Sequence, residues 1–161
     1  MNWATVAAVG VLCVAMVTAE GMLTSRDFTA WLNSLNRPRL YAPMPVWVAV
    51  AVTTYVLQGV IAYRLIEYAD PILGSLSLLV LALLMFANVA YNVVLDRTRN
   101  PAWAYRGLHW FLPVLAMLQV FLFLADSVSA LLNLAYVAWV IVYDVPIMRA
   151  LARLNPSRPP Q

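Results

Sequence analysis

Apolar residues fall into five long runs, and the polar residues gather between them. The runs cover positions 2–23, 46–66, 72–95, 108–124 and 128–151. Each is near the roughly 20 residues that a helix needs to cross a bilayer. None shows the alternation of polar and apolar positions that a barrel wall requires. Backbone groups in lipid must satisfy one another, which a helix does within its own segment. The pattern therefore predicts an all-α membrane protein, a five-transmembrane-helix bundle in one domain spanning 1–161. The connectors are short except for 24–45, which is rich in Pro, Asn and Arg, and a tail covers 152–161. A connector of this length is more often functional than idle. No Lys or Arg precedes the first run, and it is longer than the apolar core of a secretory signal, so it reads as a retained helix.

Composition and charge sharpen this picture. Apolar types make up 64% of the 161 residues and charged types 11%, against roughly 25% charged in a soluble domain. The chain has ten Arg and no Lys. With five spans, the first loop, the third loop and the C-terminus share one side. That side carries Arg26, Arg37, Arg39, Arg97, Arg99, Arg106, Arg149, Arg153 and Arg158, and the other side carries only Arg64. The positive-inside rule then puts the N-terminus outside and the C-terminus in the cytoplasm. Most of these arginines read as topology and headgroup contacts. Their clustering between apolar runs argues against nucleic acid as a partner. The lone Cys13, the lone His109 and the absence of Lys exclude a multi-cysteine metal site and a Schiff base.

Polar residues inside the runs are costly in lipid and usually face the bundle interior. They are Glu20, Gln58, Asn88, Asn92, His109, Gln119, Asn133 and Asp144. With a rise of about 1.5 Å per residue, Glu20, Asn88, Asn92, His109 and Asp144 fall in the cytoplasmic half. Asn88 and Asn92 share one helical face, with Tyr91 beside them. The convergence predicts a polar-floored cavity open toward the cytoplasm, with the first loop as its lid. The plainer alternatives are interfacial hydration, helix-bridging hydrogen bonds and ordinary packing. Among the six Trp and eight Tyr, Trp3, Trp103 and Trp110 fit an interfacial belt. Trp139 and Tyr55 lie mid-span, where a polar tip needs a partner and a ring can stack on a flat ligand.

Several strings carry a family resemblance. WLNSLNRPRLYAPMP, from Trp31 to Pro45, resembles the loop signature W-Y-x-x-L-x-K-P-x-W-x-P-P of the TspO/MBR family of translocator and tryptophan-rich sensory proteins. YVLQGVIAYRL, ANVAYNVVL, LADSVSALLNLAYVAWV and the closing ARLNP resemble its later motifs, in order and spacing. There are departures. Leu32 replaces the Tyr after the loop Trp, Arg37 replaces the loop Lys, and Arg39 and Leu40 stand where tryptophans are expected. Ala51 and Tyr91 also replace tryptophans, and Ala135 replaces a Pro. The resemblance implies a five-helix bundle, commonly a homodimer, with a pocket closed by the first loop, and the Arg-only composition points to a bacterial inner membrane. It implies ligands such as porphyrins, haem-related tetrapyrroles, sterols or other flat hydrophobic molecules, and no resident cofactor. It places Asn88, Trp139 and Pro43 at the pocket, with Tyr55, Tyr91, Trp31, Ala51 and Tyr143 as companions.

Three functions follow as expectations. The first is binding, transport or sensing of a tetrapyrrole or similar ligand. The second is photo-oxidative porphyrin breakdown, for which the family uses two pocket tryptophans. Trp139 is one of that pair, and Ala51 stands in place of the other. The third is a small membrane scaffold whose pocket has degenerated. A sterol-type spacing, Val140–Tyr143–Arg149, also occurs, a pattern frequent by chance.

Overall fold

The computed structural model describes residues 2–156, so Arg158 and the end of the tail lie outside the described residues. Among the described residues, seven of the eight helical segments make up five membrane-length helices, and the eighth lies in the first loop. α1 is Trp3–Leu23, α2 is Phe28–Ser34, α3 is Met44–Tyr68, α4 is Pro71–Thr98 and α5 is Pro101–Ala125. The last span, Ser127–Leu154, joins α6 (Ser127–Trp139), a π-helical segment (Val140–Asp144) and α7 (Val145–Leu154).

The ends are written into the sequence. Asp70 accepts from the backbone N–H groups of Ile72 and Leu73, and Pro71 opens α4. Asn100 accepts from the N–H of Ala102, and Pro101 opens α5. A proline costs nothing at a first position, where its missing N–H would have no helical partner. Arg99 ends α4 with φ of 48°, the left-handed conformation that reverses a chain in few residues. α4 and α5 are thereby antiparallel neighbours. The link from α5 to α6 is Asp126 alone, whose side chain accepts from Ser129 N.

The π-helical segment has an evident cause. Pro146 has no N–H to give to Val142, and its ring would crowd that carbonyl in a regular helix. The Val145 N–H reaches back instead to the Val140 carbonyl, inserting one residue. This widened turn re-aims Tyr143 and Asp144 relative to Trp139.

Packing follows membrane logic. Ile61, Leu65, Leu84, Leu115, Leu118 and Leu122 form a buried seam along the bundle. Large apolar residues such as Val11, Leu79, Phe86, Trp110 and Val142 face outward, where lipid replaces water. Close helix approach relies on missing side chains. A Cβ at Gly59 would lie 3.0 Å from the Cys13 sulfur, and one at Gly107 would lie 3.2 Å from the Tyr91 ring. A second apolar cluster of Leu95, Ala104, Leu108, Met148 and Leu151 lies at the end of the bundle that carries the first loop.

The helices run close to the apolar runs of the sequence, with one clear extension. α5 starts at Pro101 rather than near Leu108, taking in Trp103, Tyr105 and Arg106. The first loop is not irregular throughout, because α2 lies within it.

Candidate functional site

A cavity of about 400 Å³ lies at the loop end between α1, α3, α4 and the last span, roofed by the first loop. Val17, Val48, Val52 and Met148 give it apolar walls, and Phe28, Leu32 and Tyr41 come down from the loop. The volume lies within the range of small-molecule sites.

Its aromatic side is built on α3 and the π-helical segment. The Trp47 ring meets Trp139 edge-on, with centroids 6.1 Å apart at 85°. Trp139 is backed by Tyr143 at 4.4 Å. The Tyr143 hydroxyl donates to the Leu40 carbonyl at 2.8 Å and accepts from the Ala42 N–H at 2.7 Å. The Trp47 indole N–H donates to the Ala42 carbonyl at 3.1 Å. The loop's exit and the aromatic wall thus hold each other in place.

The polar side is centred on Glu20. Its carboxylate accepts from the Tyr55 hydroxyl and from the Asn92 amide, both at 2.7 Å. Three helices therefore meet at one carboxylate, with no arginine among the described residues paired to it. Asn88 lines the same wall one turn from Asn92. Two buried polar atoms along the lining, the Tyr91 hydroxyl and Asp144 Oδ1, have no hydrogen-bond partner among the described residues. Buried polar groups are normally satisfied, so these two atoms are open to a ligand or to water.

The lid is fastened at both ends. At its start, the Ser25 N–H and hydroxyl donate to Asp96 at 2.7 and 2.6 Å. The Arg99 guanidinium pairs with Asp96 at 2.8 Å and with Asp27 at 3.1 Å. The Ser25 hydroxyl, with Arg99 in support, holds the Asp27 carboxyl below its ordinary range. Arg99 also lies over the Phe28 and Trp31 rings, which stack on each other at 5.7 Å. Toward its end, Asn36 and Asn155 clasp reciprocally. The Asn36 N–H donates to Asn155 Oδ1 at 3.0 Å, and Asn155 Nδ2 donates to the Asn36 carbonyl at 2.9 Å. Arg37 donates to Asn33 and lies over the Tyr41 ring.

Of the residues singled out from the sequence, Ala51, Tyr55, Asn88, Tyr91 and Trp139 meet around this cavity. Tyr143 stands behind Trp139, Pro43 caps α3, and Trp31 packs on Phe28 in the lid; these three are not among the lining residues. His109 does not converge with Glu20, Asn88, Asn92 and Asp144. It is exposed on α5, with its ring against Tyr105. The members of the Val140–Tyr143–Arg149 pattern also separate. Val140 is buried, Tyr143 holds the loop and Arg149 is exposed. Trp47 was not singled out from the sequence. Its signal is spacing: 47, 51 and 55 recur every four residues, which sets Trp47, Ala51 and Tyr55 along one face of α3. The tryptophan absent at 51 has an aromatic counterpart one turn earlier.

Fold and cavity together define an integral membrane protein of five helices with a lidded, aromatic-walled chamber at one end. The family model described as TspO/MBR family matches residues 8–146. The chain belongs to that family. No curated protein matches it.

Proposed function

We propose that this protein binds a tetrapyrrole, or a flat hydrophobic molecule of similar size, in the lidded cavity, and carries or senses it. The observation that supports this reading best is the pairing of an edge-to-face Trp47–Trp139 wall with two unpartnered polar atoms opposite apolar walls. Indole faces offer dispersion contacts to a flat π-system. Asp144 and Tyr91 offer polar contacts that fix its orientation. On this reading Trp139, Asn88, Tyr55, Tyr91 and Ala51 touch the ligand, while Tyr143, Pro43 and Trp31 position the wall and the lid. The protein sits in a bacterial inner membrane as a homodimer, with its N-terminus outside and the lidded end facing the cytoplasm.

Titration of the purified protein with protoporphyrin IX, followed by fluorescence quenching, tests the binding. Trp139→Phe and Asn88→Ala are expected to weaken it. Unchanged affinity in both removes these residues from the site.

A second reading, light-dependent tetrapyrrole breakdown, gains one observation from the structure: Trp47 supplies a second tryptophan beside Trp139. Illumination with bound porphyrin and a search for a new absorbing product tests it. Product formed no faster than with an unrelated membrane protein ends this reading.

A further inference from the structure

A second concavity, of about 440 Å³, lies outside the bundle between α5 and α7 and is separate from the lidded chamber. Tyr105 forms its α5 side, and Val145, Pro146 and Leu154 supply apolar surface. Arg149 and Arg153 line the rest. They are four residues apart, so both project from one face of α7. The opposite face of that helix is buried through Ile147, Met148 and Leu151.

Both arginines are exposed, and among the described residues neither has a hydrogen bond or an ion pair. Among the described residues no carboxylate pairs with either arginine; Asp144, next to Val145 in sequence, lines the lidded chamber instead. Asp27 and Asp96, the acids fastening the lid, are already engaged by Arg99. The groove lies along the final ten residues of the last span, and its arginines place it toward the headgroup end of that helix. Two guanidinium groups match the oxygens of a phosphate diester. The apolar strip beside them, at Val145 and Pro146, faces chains rather than water.

We propose that this groove holds one anionic phospholipid, with its phosphate between Arg149 and Arg153 and its glycerol end against Tyr105 and Pro146. An anionic lipid fits better than a zwitterionic one, because a choline or ethanolamine cation would meet two unneutralised arginines.

The test is lipid selectivity of the full-length protein in phosphatidylcholine vesicles. Trace spin-labelled phosphatidylglycerol or phosphatidylcholine reports the immobilised fraction. The native protein is expected to favour phosphatidylglycerol several-fold. Arg149→Gln/Arg153→Gln is expected to lose that preference. Arg26→Gln/Arg39→Gln, which removes the same charge from the same end, is expected to keep it. Arg149→Lys/Arg153→Lys keeps charge and helix and should retain part of the preference, which covers the case in which the Gln variant loses helical content. Equal binding of the two lipids by the native protein, or equal loss in the Arg26/Arg39 control, overturns the proposal. Displacement of phosphatidylglycerol by millimolar inorganic phosphate would instead make this a free-phosphate site.

Discussion

The two ends of the bundle are built on opposite plans. At the end away from the loop, the links are as short as one residue, and the charged groups pair with neighbours, while Gln58 and Asn133 keep unpartnered atoms only deeper in the bundle. Arg64 grips Asp126 with two hydrogen bonds, at 2.8 and 3.1 Å, and Ser129 donates a third at 2.6 Å. Thr5 donates to Glu67 at 2.6 Å, joining α1 to α3. At the lidded end a loop of twenty residues replaces the tight turn, aromatics replace aliphatics, and Tyr91 and Asp144 keep unpartnered atoms. One end is a clamp of paired side chains. The other holds a chamber and is closed by contacts that local opening can break. A fixed end lets the lid move without splaying the helices.

The largest expected effect comes from breaking the clamp. The Arg64 and Asp126 side chains are only 26% and 12% exposed. Asp126→Ala therefore leaves a poorly solvated cation and should cost on the order of 2–3 kcal/mol, discounted for the partial exposure of Arg64. Thermal unfolding in detergent measures this, and ligand affinity should change little. Equal loss of affinity and stability would mean that the two ends are not independent.

Next is Trp139→Ala. Removing a half-buried aromatic anchor from a ligand wall typically costs about 2 kcal/mol, or roughly thirtyfold in Kd. Here stability should fall less than affinity, which reverses the Asp126 outcome.

Asn155→Ala comes third. It removes the clasp to Asn36 while leaving the cavity walls intact. Ligand release, followed by stopped flow, should accelerate a few-fold with little change in melting temperature. An unchanged release rate would mean that the clasp does not hold the lid.

The smallest effect is a pH dependence confined to acid. Hydrogen bonds from the Arg64 guanidinium, then from Ser129, hold the Asp126 carboxyl well below its ordinary range. An unfolded aspartate titrates near about 3.9. The stability contributed by Asp126 is therefore fully present above that pH and is lost as pH falls from there toward the folded value. Melting temperatures of native protein and Asp126→Asn should converge on acidification below about pH 4 and stay apart at neutrality.

The sequence reveals the spans because lipid enforces long apolar runs, and it reveals Asn88, Tyr91 and Asn92 because helical spacing brings them together. The start of α5 was hidden because Trp103, Tyr105, Arg106 and His109 mix aromatic and charged types at the interface, which weakens the apolar signal. α2 was hidden because seven residues form a helix only with tertiary packing, here supplied by Leu32 and the Phe28–Trp31 stack. The widened turn before Pro146 decides that Trp139 faces the cavity while Tyr143 backs it, and residue spacing in a regular helix gives no hint of that. Trp47 escaped notice because position 51 was the expected one. Physically, a ring one turn earlier on the same face can reach the same partner.

On the proposed function, the lidded end binds a flat hydrophobic ligand against Trp47 and Trp139. The most direct measurement is which tryptophans report that binding. Protoporphyrin IX should quench a Trp3→Phe/Trp103→Phe/Trp110→Phe variant with the Kd of the native protein. In Trp47→Phe/Trp139→Phe the saturable quenching should be lost or shifted to much weaker affinity. Saturable quenching that survives unchanged in the second variant and disappears in the first would place the ligand on the lipid-facing surface and contradict the claim.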